Sequence, residues 1–290
     1  MGEPPDGQPG WRERLSGAAG FARRRLAGDY QVDEFGFDPE LNAAVLMPAA
    51  LSLYRNWFRI RSRGLEHVPS AGPALIVANH SGVLPLDAIM LQACVFADLP
   101  GGRNLRLLGA DLVYTLPGLA SLARRSGHTR ADPAEAAALL AAGELVGVFP
   151  EGFKGTGKPF SERYRLQRFG RGGFARTALL ARAPIIPCAI VGAEEIYPMI
   201  GNAESLARAL RLPYFPLTPL FPWLGPVGAV PLPSNWIIEF SAPVPTDVLW
   251  PDPPDGEPDE QLVLDVADEV RDIIQARLDD LVAERGPAFS

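Results

Sequence analysis

His80 and Asp87 are two side chains that can move protons together, and they lie seven positions apart after the apolar run Ala74–Ala78. A carboxylate bound to one imidazole nitrogen holds the ring in one tautomer and stabilises the imidazolium, so the other nitrogen can act as a general base. Catalytic groups of open α/β sheets gather where strands end. The pattern predicts a catalytic His–Asp pair; a loop histidine beside a helix-capping aspartate is the alternative.

A second candidate site, Phe149-Pro150-Glu151-Gly152-Phe153-Lys154, comes at the end of another apolar run. Glycine-rich backbone beside lysine suits a phosphate or a polar headgroup. Residues 152–158 also fit the G-x-x-x-x-G-K core of a nucleotide-binding P-loop. However, Pro159 occupies the position where serine or threonine should hold magnesium, and proline removes a backbone donor. We interpret the match as chance and keep nucleotide binding as a minor alternative.

Basic side chains continue beyond this site, with apolar side chains between them. The basic members are Lys154, Lys158, Arg163, Arg165, Arg168 and Arg171. The apolar members are Tyr164, Leu166, Phe169 and Phe174. This interleaving suits a ligand that is both charged and greasy, such as a phospholipid or acyl-CoA, whereas a solvated charged face is the usual alternative.

The composition excludes several classes of protein and site. The 290 residues are 47% hydrophobic and carry a net charge of −7, which allows a sizeable core and disfavours a nucleic-acid partner. Two cysteines and three histidines are too few for a zinc finger or an iron–sulfur site, and we predict no metal. Because no G-x-S-x-G motif occurs and neither cysteine has a nearby histidine, a covalent acyl-enzyme is disfavoured.

Charge is distributed unevenly along the chain. Residues 103–182 carry 13 basic and 6 acidic side chains, whereas residues 239–290 carry 3 basic and 14 acidic ones. A basic middle in an acidic protein indicates a local anionic ligand rather than a generally anionic partner.

The elements that would position these residues alternate between buried strands and helices. A capping-box pattern at 132–135 begins one helix, and Gly143 ends it. Continuous apolar runs predict strands at 74–78, 105–108, 145–149, 184–191 and 236–240. The alternation predicts an α/β fold with His80 and Glu151 at the ends of strands.

The chain divides into four predicted parts. Residues 1–40 predict a flexible leader with one basic helix near Trp11–Leu26. Residues 41–63 predict an apolar helix that runs into arginines, either as an interfacial anchor or as a helix packed on the core, with Pro48 as a kink. Residues 64–250 form the predicted α/β domain. Residues 251–290 predict an acidic amphipathic helix in a solvated outer layer.

No signal peptide and no ordinary membrane span are predicted. The uncharged stretch 212–238 holds seven prolines and cannot form a regular spanning helix. Its aromatic side chains suit shallow insertion at a membrane surface, and Phe221 and Trp223 are the predicted contacts. Covering the core or lining an acyl tunnel is the alternative. We expect peripheral binding on the cytoplasmic face of the cell membrane.

Four sequence blocks, in this order, resemble the glycerolipid acyltransferase family, which includes the lysophosphatidic acid acyltransferases. The pair Asn79-His80 with Asp87 resembles the first block, and residues 127–130 are a weak version of the second. Residues 149–152 match the third block closely, and residues 183–187 match the fourth. Their order and spacing cover roughly residues 64–242.

The resemblance implies a single mixed-sheet α/β domain flanked by helices, with an N-terminal helical membrane-proximal region and a C-terminal amphipathic helix. It implies transfer of an acyl chain from acyl-CoA or acyl carrier protein, without a further cofactor, to the hydroxyl of a glycerolipid. His80 would deprotonate that hydroxyl, and Asp87 would orient His80. The expected partners are the acyl donor and membrane lipids. The implied substrate-binding residues are Asn79, Arg130, Glu151, Gly152, Lys154 and Arg168.

Two features depart from the family pattern. Six residues separate His80 from Asp87, where the family usually has four. Phe153-Lys154 follow the Glu-Gly pair, where the family often has Thr-Arg. Lysine lacks the planar group with which arginine binds a phosphate through two hydrogen bonds. A neutral diacylglycerol acceptor is therefore an alternative to a phosphorylated one. A non-catalytic lipid-binding or lipid-transfer protein on the same fold is the alternative from another functional class.

Overall fold

The computed structural model describes residues 11–81, 84–115, 118–251 and 256–289. Its strands are β1 (Arg61–Arg63), β2 (Ala74–Ala78), β3 (Leu105–Gly109), β4 (His128–Arg130), β5 (Leu145–Val148), β6 (Ile185–Val191), β7 (Gly201–Asn202), β8 (Pro216–Leu217) and β9 (Ile237–Phe240). Its α-helices are α1 (Trp11–Ala27), α2 (Pro39–Leu41), α3 (Met47–Ser52), α4 (Leu86–Asp98), α5 (Asp111–Thr115), α6 (Leu119–Arg125), α7 (Pro133–Ala141), α8 (Phe153–Thr156), α9 (Gly173–Ala181), α10 (Glu204–Leu210), α11 (Thr246–Leu249) and α12 (Glu260–Arg285).

Seven of these strands form a mixed sheet in the order β1-β9-β6-β2-β5-β3-β4. The five strands from β6 to β4 run parallel to one another, whereas β9 pairs antiparallel with β6, and β1 follows the direction of β9. The central strands β2 and β6 are buried along their whole length, as parallel strands covered on both faces must be. This architecture confirms the predicted mixed-sheet α/β fold.

Apolar side chains fill both faces of the sheet. Helix α4 contributes to one core layer, and α7, α9 and α12 contribute to the other. The predicted apolar stripe of α12 is present, and its fully buried members include Val270, Ile274 and Leu278. The acidic helix is therefore a covering layer of the domain core, with its acidic side chains directed outwards and Arg285 buried in an ion pair with Glu195. The predicted boundary at residue 251 does not separate it from the domain.

The predicted helix 41–63 ends earlier than expected. Helical backbone runs from α2 through α3, with π-helical turns at Asn42–Leu46 and Leu53–Trp57. The first π turn lies just before Pro48, which has no N–H for the residue four positions earlier. Arg59 takes a left-handed conformation (φ 46°), and the next residues form the edge strand β1 beside β9. The inclusion of residues 61–63 in this helix was therefore wrong.

The helix packs on the core through one face, as one of the two interpretations expected, and the interfacial anchor stays a prediction. Met47, Ala50 and Tyr54 are buried against the core, whereas Leu53 and Trp57 are exposed. The sequence alone could not assign these faces, because the π turns shift the helical period away from 3.6 residues.

The predicted flexible leader is wrong for residues 29–40. Helix α1 agrees with the predicted basic helix to within one residue at its end, but the segment after it packs on the domain. Asp33 accepts hydrogen bonds from the backbone N–H groups of Phe35 and Phe37 and, at 2.6 Å, from Arg106. Arg106 is buried, and its guanidinium lies over the ring of Phe37. Such long-range contacts are not encoded in local composition.

Among the described residues, none of the helices has the length and apolar content needed to cross a membrane.

Candidate active site

The candidate site lies at the edge of the sheet where the parallel strands end. His80 follows β2, Glu151 follows β5 and Glu194 follows β6, and these three strands are neighbours in the sheet. Because all three run in the same direction, their carboxyl ends bring residues that are distant in sequence to one place.

His80 and Asp87 form a direct pair. Nδ1 of His80 lies 2.8 Å from Oδ2 of Asp87, which leaves Nε2 as the nitrogen that can face a substrate. The imidazole retains 15% of its surface, whereas the Asp87 carboxylate is fully buried. Asp87 also accepts hydrogen bonds from the backbone N–H groups of Ser81 and Ala88, both at 2.8 Å. The longer spacing between His80 and Asp87 therefore does not prevent the contact.

The ring of Phe149 supports the imidazole from one side. The centroids of the two rings lie 4.6 Å apart with an interplanar angle of 30°. Phe149, at the end of β5, is nearly buried, so this wall of the site belongs to the core. Together with the Asp87 contact, it restricts the ring to one orientation.

The carboxylate of Glu151 is bound by other groups of the protein. One carboxylate oxygen accepts the backbone N–H of His80 at 3.0 Å, and the other accepts the backbone N–H of Gln167 at 2.7 Å. Its side chain is fully buried and lies 3.5 Å from the ammonium of Lys158. These contacts give Glu151 a part in holding the loop of the histidine, which the sequence pattern did not reveal.

Lys158 excludes the P-loop alternative. Its ammonium is buried and donates to the carboxylate of Glu194 at 3.2 Å and to the backbone carbonyl of Arg165 at 3.1 Å. A P-loop lysine must reach the phosphates of a nucleotide, and this one is fully engaged by the protein. Burial raises the pKa of Glu194 to about 7, against the opposing effect of Lys158.

Gly155 is a site residue that sequence reasoning missed. A Cβ at this position would lie 2.8 Å from the carbonyl oxygen of His80 and 2.8 Å from Cβ of Glu151. Only glycine allows α8 to approach the two loops this closely. This glycine is visible in the sequence within the segment 152–158, but the P-loop pattern assigns no role to its position.

The remaining predicted binding residues fall into two groups. Asn79 is fully buried, and its amide bonds both the N–H and the carbonyl of Ile190, so it ties β2 to β6. The second group is exposed. It comprises Arg130, Gly152, Lys154 and Arg168.

The exposed residues differ in their distance from His80. Gly152 (φ 53°) and Lys154 lie in the segment that directly follows Glu151. Arg130 ends β4, three strands away from β2, and its guanidinium lies 3.9 Å from the exposed Asp111. The structure thus brings His80, Asp87 and Glu151 together and leaves the three predicted cations exposed on the surface, with Lys154 next to the Glu151 segment and Arg130 three strands from β2.

The apolar residues between the basic ones do not form a greasy ligand surface. Tyr164, Leu166 and Phe169 are buried in the core layer beneath α12, and Phe174 packs edge-on against Phe169. The alternation instead reflects a segment with one face in the core and one face in solvent. The interpretation of the apolar members as ligand contacts was therefore wrong, while the arginines between them are exposed.

Comparison with known proteins agrees with this fold. A family model described as "Acyltransferase" matches residues 59–191, which include His80, Asp87 and Glu151. The crystal structure of the 1-acyl-sn-glycerophosphate (LPA) acyltransferase PlsC from Thermotoga maritima superposes with a TM-score of 0.56. The match covers 92% of this chain and 88% of that one, at 16% sequence identity, and so supports the fold alone.

Sequence relatives extend the match along most of the chain. An uncharacterized protein of Mycobacterium bovis is 51% identical over 275 residues, which are 95% of this chain and 76% of the relative. A protein of Bos taurus described as a "DGAT1/2-independent enzyme synthesizing storage lipids" is 28% identical over 169 residues. That match covers 57% of this chain and about half of the relative. The family model places residues 59–191 of this chain in the acyltransferase family, as the resemblance to glycerolipid acyltransferases predicted.

Proposed function

We propose that this protein is an O-acyltransferase that moves a fatty acyl chain directly from a thioester donor to the hydroxyl of a lysophospholipid or related glycerolipid. The donor is acyl-CoA or acyl carrier protein, and no other cofactor takes part. The observation that carries the proposal is the 2.8 Å contact between His80 and the buried carboxylate of Asp87, at the strand end where the family's first block lies.

In the proposed reaction, Nε2 of His80 accepts the proton of the acceptor hydroxyl as the oxygen attacks the thioester carbonyl. A C–O bond forms, the C–S bond then breaks, and the departing thiolate takes the proton from the imidazolium. Asp87 stabilises the transient positive charge on His80, because its carboxylate is held in place by two backbone N–H groups. No covalent acyl-enzyme is needed.

Exposed cations around the site suit anionic groups of the substrates. Lys154 and Arg168 lie on the segments that follow β5, and Arg130 ends β4. Together with the exposed backbone of Gly152, they are the proposed contacts for phosphates of the donor or of a phosphorylated acceptor. A neutral diacylglycerol is the second candidate acceptor, because Phe153-Lys154 replace the Thr-Arg pair common in the family.

A screen of acceptors tests the proposed function. Purified protein is incubated with labelled acyl-CoA and, separately, lysophosphatidic acid, other lysophospholipids, monoacylglycerol or diacylglycerol, and products are identified by mass spectrometry. We expect one acceptor class to be acylated and free CoA to appear in equal amount. Binding of these lipids without any turnover, with either acyl-CoA or acyl carrier protein as donor, would instead identify a non-catalytic lipid-binding protein.

We further propose that the edge of the sheet carrying the site faces a membrane, as peripheral attachment to the cytoplasmic leaflet requires. The segment after β6 and the segment before β1 lie at this same edge, because β1 runs antiparallel to β6. Nε1 of Trp57 donates to the carbonyl of Pro231 at 3.1 Å, which joins the two segments. Exposed apolar side chains on them are Leu53, Trp57, Ile200, Leu206, Leu210, Leu212, Trp223, Leu224, Val227 and Val230.

The charges at this apolar edge suit an anionic lipid surface. Residues 41–60 and 212–238 contain no acidic side chain, although the whole chain has a net charge of −7. Arg55 is exposed. Arg59 donates hydrogen bonds to two neutral groups, the side-chain amide of Asn235 and the backbone carbonyl of Pro233. Trp223 is 69% exposed, whereas Phe221 is half-buried against Phe215, so Trp223 is the stronger of the two proposed contacts.

A further inference from the structure

A buried ionic cluster joins the ends of the central strands beneath the candidate base. Lys158 lies between Glu151, which follows β5, and Glu194, which follows β6. Its Nζ atom is 3.5 Å from Glu151, 3.2 Å from Glu194 and 3.1 Å from the carbonyl oxygen of Arg165. The side chains of all three charged residues are nearly or fully inaccessible to solvent.

The surroundings of Lys158 match the chemistry of an ammonium group. Lysine offers three donors from one compact centre, and three acceptors surround Nζ. Arginine would bring a wider planar group with donors in a fixed fork. The chain has only two lysines among its 27 basic residues, Lys154 and Lys158, so lysine at this buried position is a marked exception to its use of arginine.

The cluster connects to the base through Glu151. One carboxylate oxygen accepts the backbone N–H of His80, and the other accepts the backbone N–H of Gln167. A carboxylate offers two acceptor oxygens for these two bonds, and the adjacent ammonium of Lys158 compensates its buried negative charge. Without this cation the Glu151 carboxylate would be buried with one charge partner fewer, so it would move and its hold on the His80 backbone would weaken.

We propose that Lys158 is a positioning residue for the acyl-transfer reaction, acting through Glu151 on the backbone of His80. The inference rests on the proposed function, since it assigns His80 as the base whose placement matters. Lys158 does not touch the substrates; it sets the orientation in which the imidazole meets Asp87 and the acceptor hydroxyl. Replacing it should lower kcat and leave the KM of the acceptor nearly unchanged.

Lys158→Met tests the proposal, because methionine has a similar length and no charge. We expect kcat to fall about 10- to 100-fold, as small displacements of a catalytic group cost about that much. Arg271→Met is the matched control: it removes a cation on the outer face of α12 whose ion pair, within the part of the chain that the structure describes, is with the exposed Asp272. The control should keep the wild-type kcat.

Histidine NMR separates positioning from general loss of structure. The chain has three histidines, so the imidazole Cε1–H signals of His67, His80 and His128 can be assigned by single substitution. In Lys158→Met the chemical shift of the His80 signal should change, while the signals of His67 and His128 stay in place. Movement of all three signals, an unchanged His80 signal, or a raised KM with wild-type kcat would overturn the proposal.

Glu151→Gln keeps the test decisive if Lys158→Met does not fold. Glutamine has nearly the same shape but cannot accept both backbone N–H groups with a charged carboxylate. It should reproduce the loss of kcat and the shift of the His80 signal, and a wild-type His80 signal in this variant would refute the proposed connection. The NMR measurement needs no substrate, so it distinguishes failure of the positioning role from failure of the proposed acyltransferase activity.

Discussion

At the scale of single residues, the contact between His80 and Asp87 was predicted from residue types and from the position of the histidine after an apolar run. The structure places the two side chains in contact, and their catalytic role stays a prediction. The supporting roles of Glu151, Lys158 and Glu194 could not be predicted, because they arise from contacts between the ends of three different strands. Sequence spacing carries no information about such contacts.

Asp87→Asn should lower turnover with little change in acceptor affinity. The asparagine amide has one acceptor oxygen and can keep only one of the two backbone hydrogen bonds, and it cannot stabilise the imidazolium or hold the required tautomer. We expect kcat to fall by at least about 100-fold, on the scale of such substitutions in His–Asp pairs. Steady-state kinetics at varied acceptor concentration measures both parameters.

The control for this prediction is Asp272→Asn, which alters an exposed carboxylate on α12. A kcat of Asp87→Asn equal to that of the control would show that another group orients His80.

At the scale of elements, the fully buried strands were predictable and the edge strands were not. β2, β5 and β6 are continuous apolar runs, which is the pattern of parallel strands covered on both faces. β1 and β4 are three residues long and largely polar, Arg61-Ser62-Arg63 and His128-Thr129-Arg130, and they form only because a neighbouring strand offers free hydrogen-bonding groups. Pairing of this kind depends on the assembled sheet.

Strand β4 supplies a pH-dependent contribution to stability. Burial lowers the pKa of His128 to about 4, whereas an unfolded chain has a histidine pKa of about 6.5. The unfolded state therefore binds more protons between these values, so this contribution is present above pH 6.5 and is lost as pH falls towards 4. Between pH 7 and pH 5 the loss should be roughly 1–2 kcal/mol by linkage.

Denaturant titrations at pH 7 and pH 5 measure this effect in the wild type and in His128→Asn. Asparagine does not titrate, and it keeps a polar group near Ser126, whose Oγ lies 3.0 Å from Nδ1 of His128. The free energy of unfolding should change less with pH in the variant. The raised pKa of Glu194 acts in the opposite direction, but it is common to both proteins and cancels in the comparison. Equal pH dependence in the two proteins would contradict the lowered pKa of His128.

At the scale of the whole molecule, the acidic chain has an apolar surface at the edge that carries His80, and the segments 41–60 and 212–238 of this surface contain no acidic side chain. Its acidic side chains concentrate instead in residues 239–290, largely on the outer face of α12. Composition revealed the uncharged stretch 212–238, but only the sheet topology places it beside residues 53–57. This arrangement would let a lipid acceptor reach the base without leaving the bilayer.

Trp223→Ser combined with Val227→Ser should release the protein from vesicles of phosphatidylcholine and phosphatidylglycerol. Both side chains are about two-thirds exposed, and loss of their insertion should reduce partitioning more than about tenfold. Activity on detergent-dispersed acceptor should be retained. Cosedimentation with the vesicles measures the bound fraction.

Val248→Ser is the matched control, because Val248 is equally exposed on α11, beyond the opposite end of β9. It should bind vesicles as the wild type does. Unchanged binding by the double variant would contradict the membrane contact, and a wild-type dimer that dissociates in the double variant would assign the surface to a second copy of the chain.

The most direct test of the whole account is the turnover of His80→Ala on the acceptor identified by the screen, with labelled acyl-CoA as donor. Loss of a general base costs roughly 10²–10⁴-fold in rate, so we expect kcat to fall by that amount while the thermal midpoint of unfolding stays close to wild type. His67→Ala, which removes a histidine whose Nδ1 lies 2.9 Å from the carbonyl oxygen of Phe240, should leave kcat unchanged. Near-wild-type turnover by a folded His80→Ala protein would contradict direct acyl transfer by a histidine base.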